Sequence, residues 1–287
     1  MTRIIYVSGA YLPYAQAGVH AEDRGNQFGD AVYEVCEVLG GRLVDETRHL
    51  ARLERSMGEL RIAPPMSRRA LGRVMRETIR RNRVRDGLVY LQVSRGVAPR
   101  SFLFPGPAVA PTLIVLARSV PREPAEAQAA VGIAVITTPD NRWGRVDIKT
   151  VMLLPSALAK EAARAQGAKE AWFVDREGHI TEGGSSNAWI IDQAGHLITR
   201  AADSSILRGI TRDVLMQLAR DRGLTVVERA FTRAEALVAR EAFVTSATNL
   251  VMPVVAIDGQ AIGNGHPGSF ATDLRRHFHE AAEIARS

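Results

Sequence analysis

Cys36 is the only cysteine in this chain of 287 residues, so no internal disulfide and no cysteine-based zinc site can form. Lysine is almost as scarce, with three residues at 149, 160 and 169, every other member of the 37 basic side chains being arginine. No apolar run approaches the roughly 20 residues of a membrane span. The start, Met1-Thr2-Arg3-Ile4-Ile5-Tyr6, lacks the pattern of a cleavable signal, and a cytoplasmic location is the simple expectation. The net charge of +6 raises the question of nucleic acid. However, the arginines are scattered, and the densest groups, Arg68-Arg69 and Arg80-Arg81-Asn82-Arg83, carry no interleaved aromatics, so a solvated helix face accounts for them better. His277 and His279 stand two apart on a helical pattern and face different ways, which makes a poor metal pair. Lys149-Thr150 lacks the glycine framework of a phosphate loop, and Gly183-Gly184-Ser185-Ser186-Asn187 lacks the spacing of a nucleophile elbow.

The scarcity of lysine makes the remaining ones informative. In a chain so committed to arginine, a lysine that supplies only surface charge is easily replaced, whereas an amine that must lose its proton is not. Lys160 and Lys169 lie in or after a charged helical run and read as solvated. Lys149, between Ile148 and Val151, sits in an apolar setting suited to a desolvated amine, though on spacing alone an ordinary lysine at an element end is the better account.

The patterning predicts an α/β (α+β) protein of two domains. Residues 1–118 form a small N-terminal α+β unit: strands at 4–7 and 11–12, a hairpin over 32–44, two amphipathic helices (the second capped by Ser67), and strands at 88–94 and 112–117 flanking a Pro-rich loop. Residues 119–128, with two prolines and mixed charge, read as a linker. Residues 129–287 form a larger unit with strands at 131–137, 171–174, 188–191, 225–229, 243–245 and 253–257. Its helices follow Lys149 as far as Gly167, open at Gly209-Ile210-Thr211, and close the chain over 270–285.

Three separated patches, 24–34 (Arg24-Gly25-Asn26-Gln27-Phe28-Gly29-Asp30-Ala31-Val32-Tyr33-Glu34), 149–187 and 206–212 (Ile206-Leu207-Arg208-Gly209-Ile210-Thr211-Arg212), together resemble the fold-type IV pyridoxal-phosphate enzymes, the class IV aminotransferases. The D-amino-acid aminotransferases are the most similar of these. The resemblance implies a larger domain built as a pseudo-barrel and pyridoxal 5'-phosphate as cofactor. Lys149 would form the Schiff base and shuttle the proton, and Glu182 would face the pyridine nitrogen and keep it protonated. Read alone, Glu182 is a solvated loop acid. Leu207 would pack on the ring, and Ser186 and Asn187 would organise the loop after Glu182. The phosphate would lie on the amides of Ile210 and Thr211 at a helix start, on the Ala247 amide and Thr248 hydroxyl, and on Arg52. On pattern alone, Arg52 is a helix-face residue and Leu207 plain core.

For the substrate, the resemblance implies a carboxylate pocket of Tyr33 and Arg100, the latter on a loop that comes from the neighbouring subunit and so requires at least a homodimer. Where the family continues with a histidine, this chain has Phe102, which donates no hydrogen bond. Arg100 and Tyr33 then suffice, or the carboxylate binds differently, or specificity has moved toward bulkier, less polar substrates. The implied reaction is ping-pong transamination from a D-amino acid, D-alanine, to 2-oxoglutarate. Branched-chain aminotransferase, (R)-selective amine transaminase and aminodeoxychorismate lyase share the cofactor site and stand as alternatives, and a basic nucleic-acid-binding protein is the non-enzyme alternative.

Overall fold

The computed structural model describes residues 3–285, which form two compact units. Of these, the first holds residues 3–122 together with Ile148–Met152 and 283–285; the second holds 123–147 and 153–282. Lys149 therefore belongs, with its immediate neighbours, to the unit made mostly of the N-terminal chain.

In the first unit β1 (Ile4–Val7), β2 (Ala10–Pro13), α1 (Arg24–Phe28), β3 (Ala31–Leu39), β4 (Arg42–Leu43), α2 (Glu46–Glu59), α3 (Arg68–Asn82), β5 (Gly87–Ser94) and β6 (Thr112–Ser119) follow in order. The strands make one antiparallel sheet, β2-β1-β6-β5-β3-β4. Alternation along β3 sends Val32, Cys36 and Val38 into a core with Leu50, Leu53 and Met57 of α2 and Leu71, Met75 and Ile79 of α3. Both helices thus bury the apolar stripe that their spacing predicts. Ser67 caps α3 as expected, accepting from the Ala70 amide at 3.3 Å.

The second unit contains α4 (Glu123–Val131), β7 (Ile133–Pro139), α5 (Leu154–Ala165), β8 (Glu170–Val174), β9 (His179–Gly183), β10 (Asn187–Ile191), β11 (Leu197–Thr199), α6 (Ile210–Asp221), β12 (Val226–Glu228), β13 (Phe231–Thr232), α7 (Arg233–Leu237), β14 (Glu241–Ser246), β15 (Leu250–Ile257), β16 (Gln260–Ala261) and α8 (Ser269–Ala281). Its sheet runs β12-β11-β10-β14-β15-β7-β8-β9-β13, with β16 on β15. β12 and β13 end that order at opposite edges, yet only residues 229 and 230 separate them. Nine flat strands at about 4.8 Å spacing would span roughly 38 Å, whereas this link reaches about 11 Å at most. The sheet therefore curls until its edges meet, which is the pseudo-barrel. Strands from all round it send Val135, Trp172, Ile180, Ile190, Phe231 and Val254 into one core. α6 and α8 close a second core over β14 and β15, and α5 a third against β7 and β8.

Several elements differ from the sequence reading. The stretch 119–128 carries the end of β6 and most of α4, because a proline in the first turn of a helix costs no intrahelical bond, and Pro124 is the second residue of α4. The closing helix stops at Ala281; beyond it, Ile284 bridges Val44 and the Ala285 amide donates to Leu43 at 3.0 Å. Glu182 lies on a strand, β9, rather than in a solvated loop. No helix of the described residues is long and apolar enough to cross a membrane.

Candidate active site

In the first unit, Lys149 is held by its backbone against β3. Its carbonyl accepts from the Tyr33 amide at 3.0 Å, its amide donates to Ser56 Oγ at 3.4 Å, and the Val151 amide donates to Ala31 at 3.1 Å. The helix that follows begins only at Leu154, so Lys149 sits on a strand-like segment with its side chain half-buried. Nζ lies 4.2 Å from the centre of the Tyr33 ring. Among the described residues, no carboxylate pairs with it. Tyr33 stacks on Tyr90 at 5.6 Å, and burial pushes the Tyr90 hydroxyl up to about 12.

Arg52 projects from α2 onto the buried carboxylate of the neighbouring β3 residue. Nε donates to Glu34 Oε1 at 2.7 Å and an Nη to Oε2 at 2.8 Å, while His49 Nδ1 lies 2.7 Å from Oε2. Burial drives the Glu34 carboxyl up, but the Arg52 charge, with hydrogen bonds from Arg52 and His49, outweighs it and holds the group at about 2. Arg100 lies on the loop between β5 and β6, its guanidinium 5.0 Å from the Phe28 ring and 5.8 Å from Phe102. No hydrogen bond or ion pair joins Arg100 to Tyr33 or Lys149 among the described residues, and Phe102 is 85% exposed.

In the second unit, Glu182 is buried and fully engaged. Arg142 Nη1 lies 2.5 Å from its Oε1, Asn187 Nδ2 donates to Oε2 at 3.0 Å, and the Leu207 amide donates at 3.1 Å. β9 carries one residue more than β8 between the pairs Trp172–Gly183 and Val174–Ile180. That bulge breaks the alternation that would put Glu182 on the face of the core residue Ile180. Arg142 is itself clamped by Asp140, at 2.9 and 2.7 Å, and its guanidinium lies 4.4 Å from the centre of the Phe173 ring. Burial would lower the Arg142 pKa, but the carboxylates of Asp140 and Glu182 raise it, so this guanidinium remains a fixed positive charge beside Glu182.

Sequence reasoning missed both Arg142 and the direct bond from Asn187. The visible trace of Arg142 is the Asp140-x-Arg142 pair, which follows β7 just before the Lys149 segment. Lys160 is solvated as expected, its side chain 40% exposed, and also donates to Glu170 and Ser185 at 3.3 and 3.2 Å; Ser186 joins the same carboxylate at 3.0 Å and pins the turn after Glu182.

Two sets of backbone amides face no protein acceptor among the described residues. Ile210 and Thr211 start α6 behind Gly209, which provides no side-chain cap. A Cβ at 209 would stand 2.1 Å from Asn187 Oδ1, so only glycine admits this approach. Ala247 and Thr248 form the tip of the β14–β15 hairpin, where Asn187 pairs with Thr245 on the adjoining strands, and Thr248 Oγ1 lies 3.2 Å from Ser246 Oγ. Bare amides at a helix start and at a hairpin tip provide the donor set that a phosphate dianion takes.

A family model described as amino-transferase class IV matches residues 31–257. The chain belongs to the class IV aminotransferases. It is 39% identical over 94% of its length to the D-alanine aminotransferase of Bacillus licheniformis, covering 94% of that protein, and 36% identical over the whole of both chains to that of Staphylococcus haemolyticus. Among solved structures it superimposes with a TM-score of 0.89 on a T.th. branched-chain amino acid aminotransferase with pyridoxamine 5'-phosphate, at 28% identity over 98% of this chain and 94% of that one. It matches the Escherichia coli branched-chain enzyme in fold with a TM-score of 0.90, at 24% identity over 98% of this chain and 94% of that one. As a class IV aminotransferase it is an enzyme dependent on pyridoxal phosphate. Taken unit by unit, the residues present are compatible with that group: in the second, a buried carboxylate at Glu182 and uncovered amides at 210–211 and 247–248; in the first, the amine of Lys149.

Proposed function

We propose that this aminotransferase moves the amino group of a D-amino acid, D-alanine in the first instance, to a 2-oxo acid such as 2-oxoglutarate, in two half-reactions of ping-pong order. The geometric observation that supports the site assignment is the half-buried Lys149 amine over the Tyr33 ring, with no carboxylate partner among the described residues. The substrate rests on near full-length identity to D-alanine aminotransferases. Pyridoxal phosphate supplies an aldehyde that bonds to amines and a ring that withdraws electrons. Lys149 would hold it and then carry a proton on Nζ from one carbon to another. Glu182, oriented by Arg142, Asn187 and the Leu207 amide, would hold the proton at the ring nitrogen, with Leu207 packing on the ring.

The amides of Ile210, Thr211 and Ala247, the Thr248 hydroxyl and the Arg52 guanidinium would hold the phosphate. Tyr33 and Arg100 would take the substrate carboxylate, Arg100 through two parallel hydrogen bonds. Phe102, which stacks edge-on with Phe28 at 5.7 Å, replaces a donor with an apolar wall. We infer as well a cytoplasmic enzyme that is at least a homodimer. Phe102 and Leu103, 85% and 79% exposed at one loop tip, support association.

Adding D-alanine and, separately, L-leucine to the yellow holoenzyme tests the substrate. D-alanine should bleach the absorbance of the bound cofactor; bleaching by L-leucine alone would establish the branched-chain reading, which the likeness to the T.th. enzyme favours second. Pyruvate released without an amino acceptor would instead indicate a lyase. Arg100→Ala should raise KM for amino and oxo acids alike by about tenfold or more, the loss of one charged hydrogen-bonding partner being about 1.5–3 kcal/mol. Glu182→Gln should lower kcat by about 100-fold, the low end of what a positioned acid–base group contributes.

A further inference from the structure

The loop that carries Arg100 has no helix or strand between Ser94 and Thr112 and includes Pro99, Pro105, Pro107 and Pro111. A segment of this length does not hold a guanidinium in place unaided. One carboxylate does so indirectly. Asp30 Oδ2 accepts from Arg24 Nε at 2.8 Å and Arg95 Nε at 2.7 Å, and its Oδ1 accepts from Arg95 Nη2 at 2.9 Å. Both arginines are buried, at 3% and 8% exposure, so a single acid joins two desolvated cations.

Each cation then acts on the loop or its base. Arg24 Nη1 donates to the Ser101 carbonyl at 2.6 Å, with the Leu103 carbonyl at 3.4 Å, on the residues directly after Arg100. Arg95 lies 3.6 Å from the Phe104 ring and ties itself to the chain after α2 through the carbonyls of Leu60 and Arg61, at 2.7 and 2.9 Å. The Phe28 ring carries Arg24 at 4.5 Å and Arg100 at 5.0 Å, so the arginine set by Asp30 and the arginine meant for substrate share one aromatic platform. Gly96 opens the loop at φ 104°, where a Cβ would stand 2.1 Å from the Ala110 carbonyl; the two ends of the loop are therefore drawn together at its base.

We propose that Asp30 is the positioning residue of the substrate loop: through Arg24 and Arg95 it fixes residues 101–104 and hence the reach of Arg100 for the substrate carboxylate. The proposal rests on the reading of Arg100 given above. Both Asp30 oxygens are engaged by Arg24 and Arg95, so its loss is expected to act on substrate affinity through the loop. Neutralising it leaves two buried guanidinium groups sharing no anion, and their separation moves the Ser101 and Leu103 carbonyls with Arg24.

Asp30→Asn, Arg100→Ala and the double variant are compared as holoenzymes. Asp30→Asn should raise KM for amino and oxo acids together by about tenfold or more, since a misplacement of about 1 Å can cost about 100-fold. Cofactor absorbance and kcat at saturation should stay near the parent values, and the double variant should match Arg100→Ala alone. Arg24→Lys provides an independent arm should Asp30→Asn fail to fold: an ammonium cannot reach Asp30 and the Ser101 carbonyl with the fork of a guanidinium, so the same rise in KM is expected. If Arg100→Ala raises KM while Asp30→Asn or its Arg24→Lys substitute does not, the positioning role is overturned and the carboxylate assignment stands. Additive losses in the double variant, or an equal fall in kcat, cofactor retention and melting temperature, would overturn it too. If Arg100→Ala itself changes nothing, the carboxylate is bound elsewhere and both readings fall.

Discussion

Lys149→Ala should abolish transamination, with a loss of about 10,000-fold or more, because a positioned proton carrier alone contributes about 100- to 10,000-fold and this amine is also the group proposed to hold the cofactor. The measurement is the single-turnover absorbance change on adding amino acid to protein reconstituted with pyridoxal phosphate. Lys149→Arg should fail almost as badly, since a guanidinium cannot become neutral at working pH. The contrast isolates proton chemistry from charge. The backbone of residue 149 is fixed by its bonds to Tyr33 and Ser56, neither of which uses the lysine side chain. Folding should therefore survive both substitutions, and an exogenous small amine should restore part of the Lys149→Ala activity by taking over the proton. Full activity in Lys149→Ala would sink the assignment.

The legibility of this site in the sequence varies with the kind of physics each residue obeys. Lys149 was visible through composition, because an amine is chemically distinct and this chain keeps only three. The amides of Ile210 and Thr211 were visible through the Gly209-Ile210-Thr211 helix start, a local signal. The apolar stripes of α2 and α3 were likewise read from period alone. Glu182, from its own residues, reads as a loop acid because β9 goes unrecognised, and the bulge between β8 and β9 that takes it off the Ile180 face leaves no trace in alternation. Arg142 and Asp30 were missed for a related reason: each acts through partners 40 and 65 residues away, Glu182 and Arg95, and long-range ion pairs leave no periodicity. Lys160 is solvated as read, but its bond to Glu170, on another element ten residues on, was not legible. α4 was hidden by prolines, which read as a linker unless the first turn is recognised as a place they are tolerated.

Glu34→Gln should be the most destabilising of the polar substitutions, costing about 3–5 kcal/mol, the usual effect of removing one partner from a buried ion pair. Glu34 is fully buried on β3 and accepts from Arg52 twice and faces His49 Nδ1, so a glutamine of the same shape removes the buried negative charge that faces the Arg52 guanidinium. The same carboxylate predicts an acid limit. Its pKa is lowered from the ordinary 4.5 to about 2, so its contribution is complete above about 4.5 and is lost as pH falls through the folded value. Over that window a shift of this size is worth about 3 kcal/mol. Urea unfolding of the parent and of Glu34→Gln should therefore differ strongly at pH 7 and converge as pH approaches 2. A gap that stays constant with pH would mean that Glu34 stabilises by packing rather than by charge. Arg52 is also the proposed phosphate ligand, and Glu34 sets the direction of its guanidinium. The variant should accordingly release pyridoxal phosphate more readily at neutral pH, even where it remains folded, which equilibrium dialysis against the free cofactor would measure.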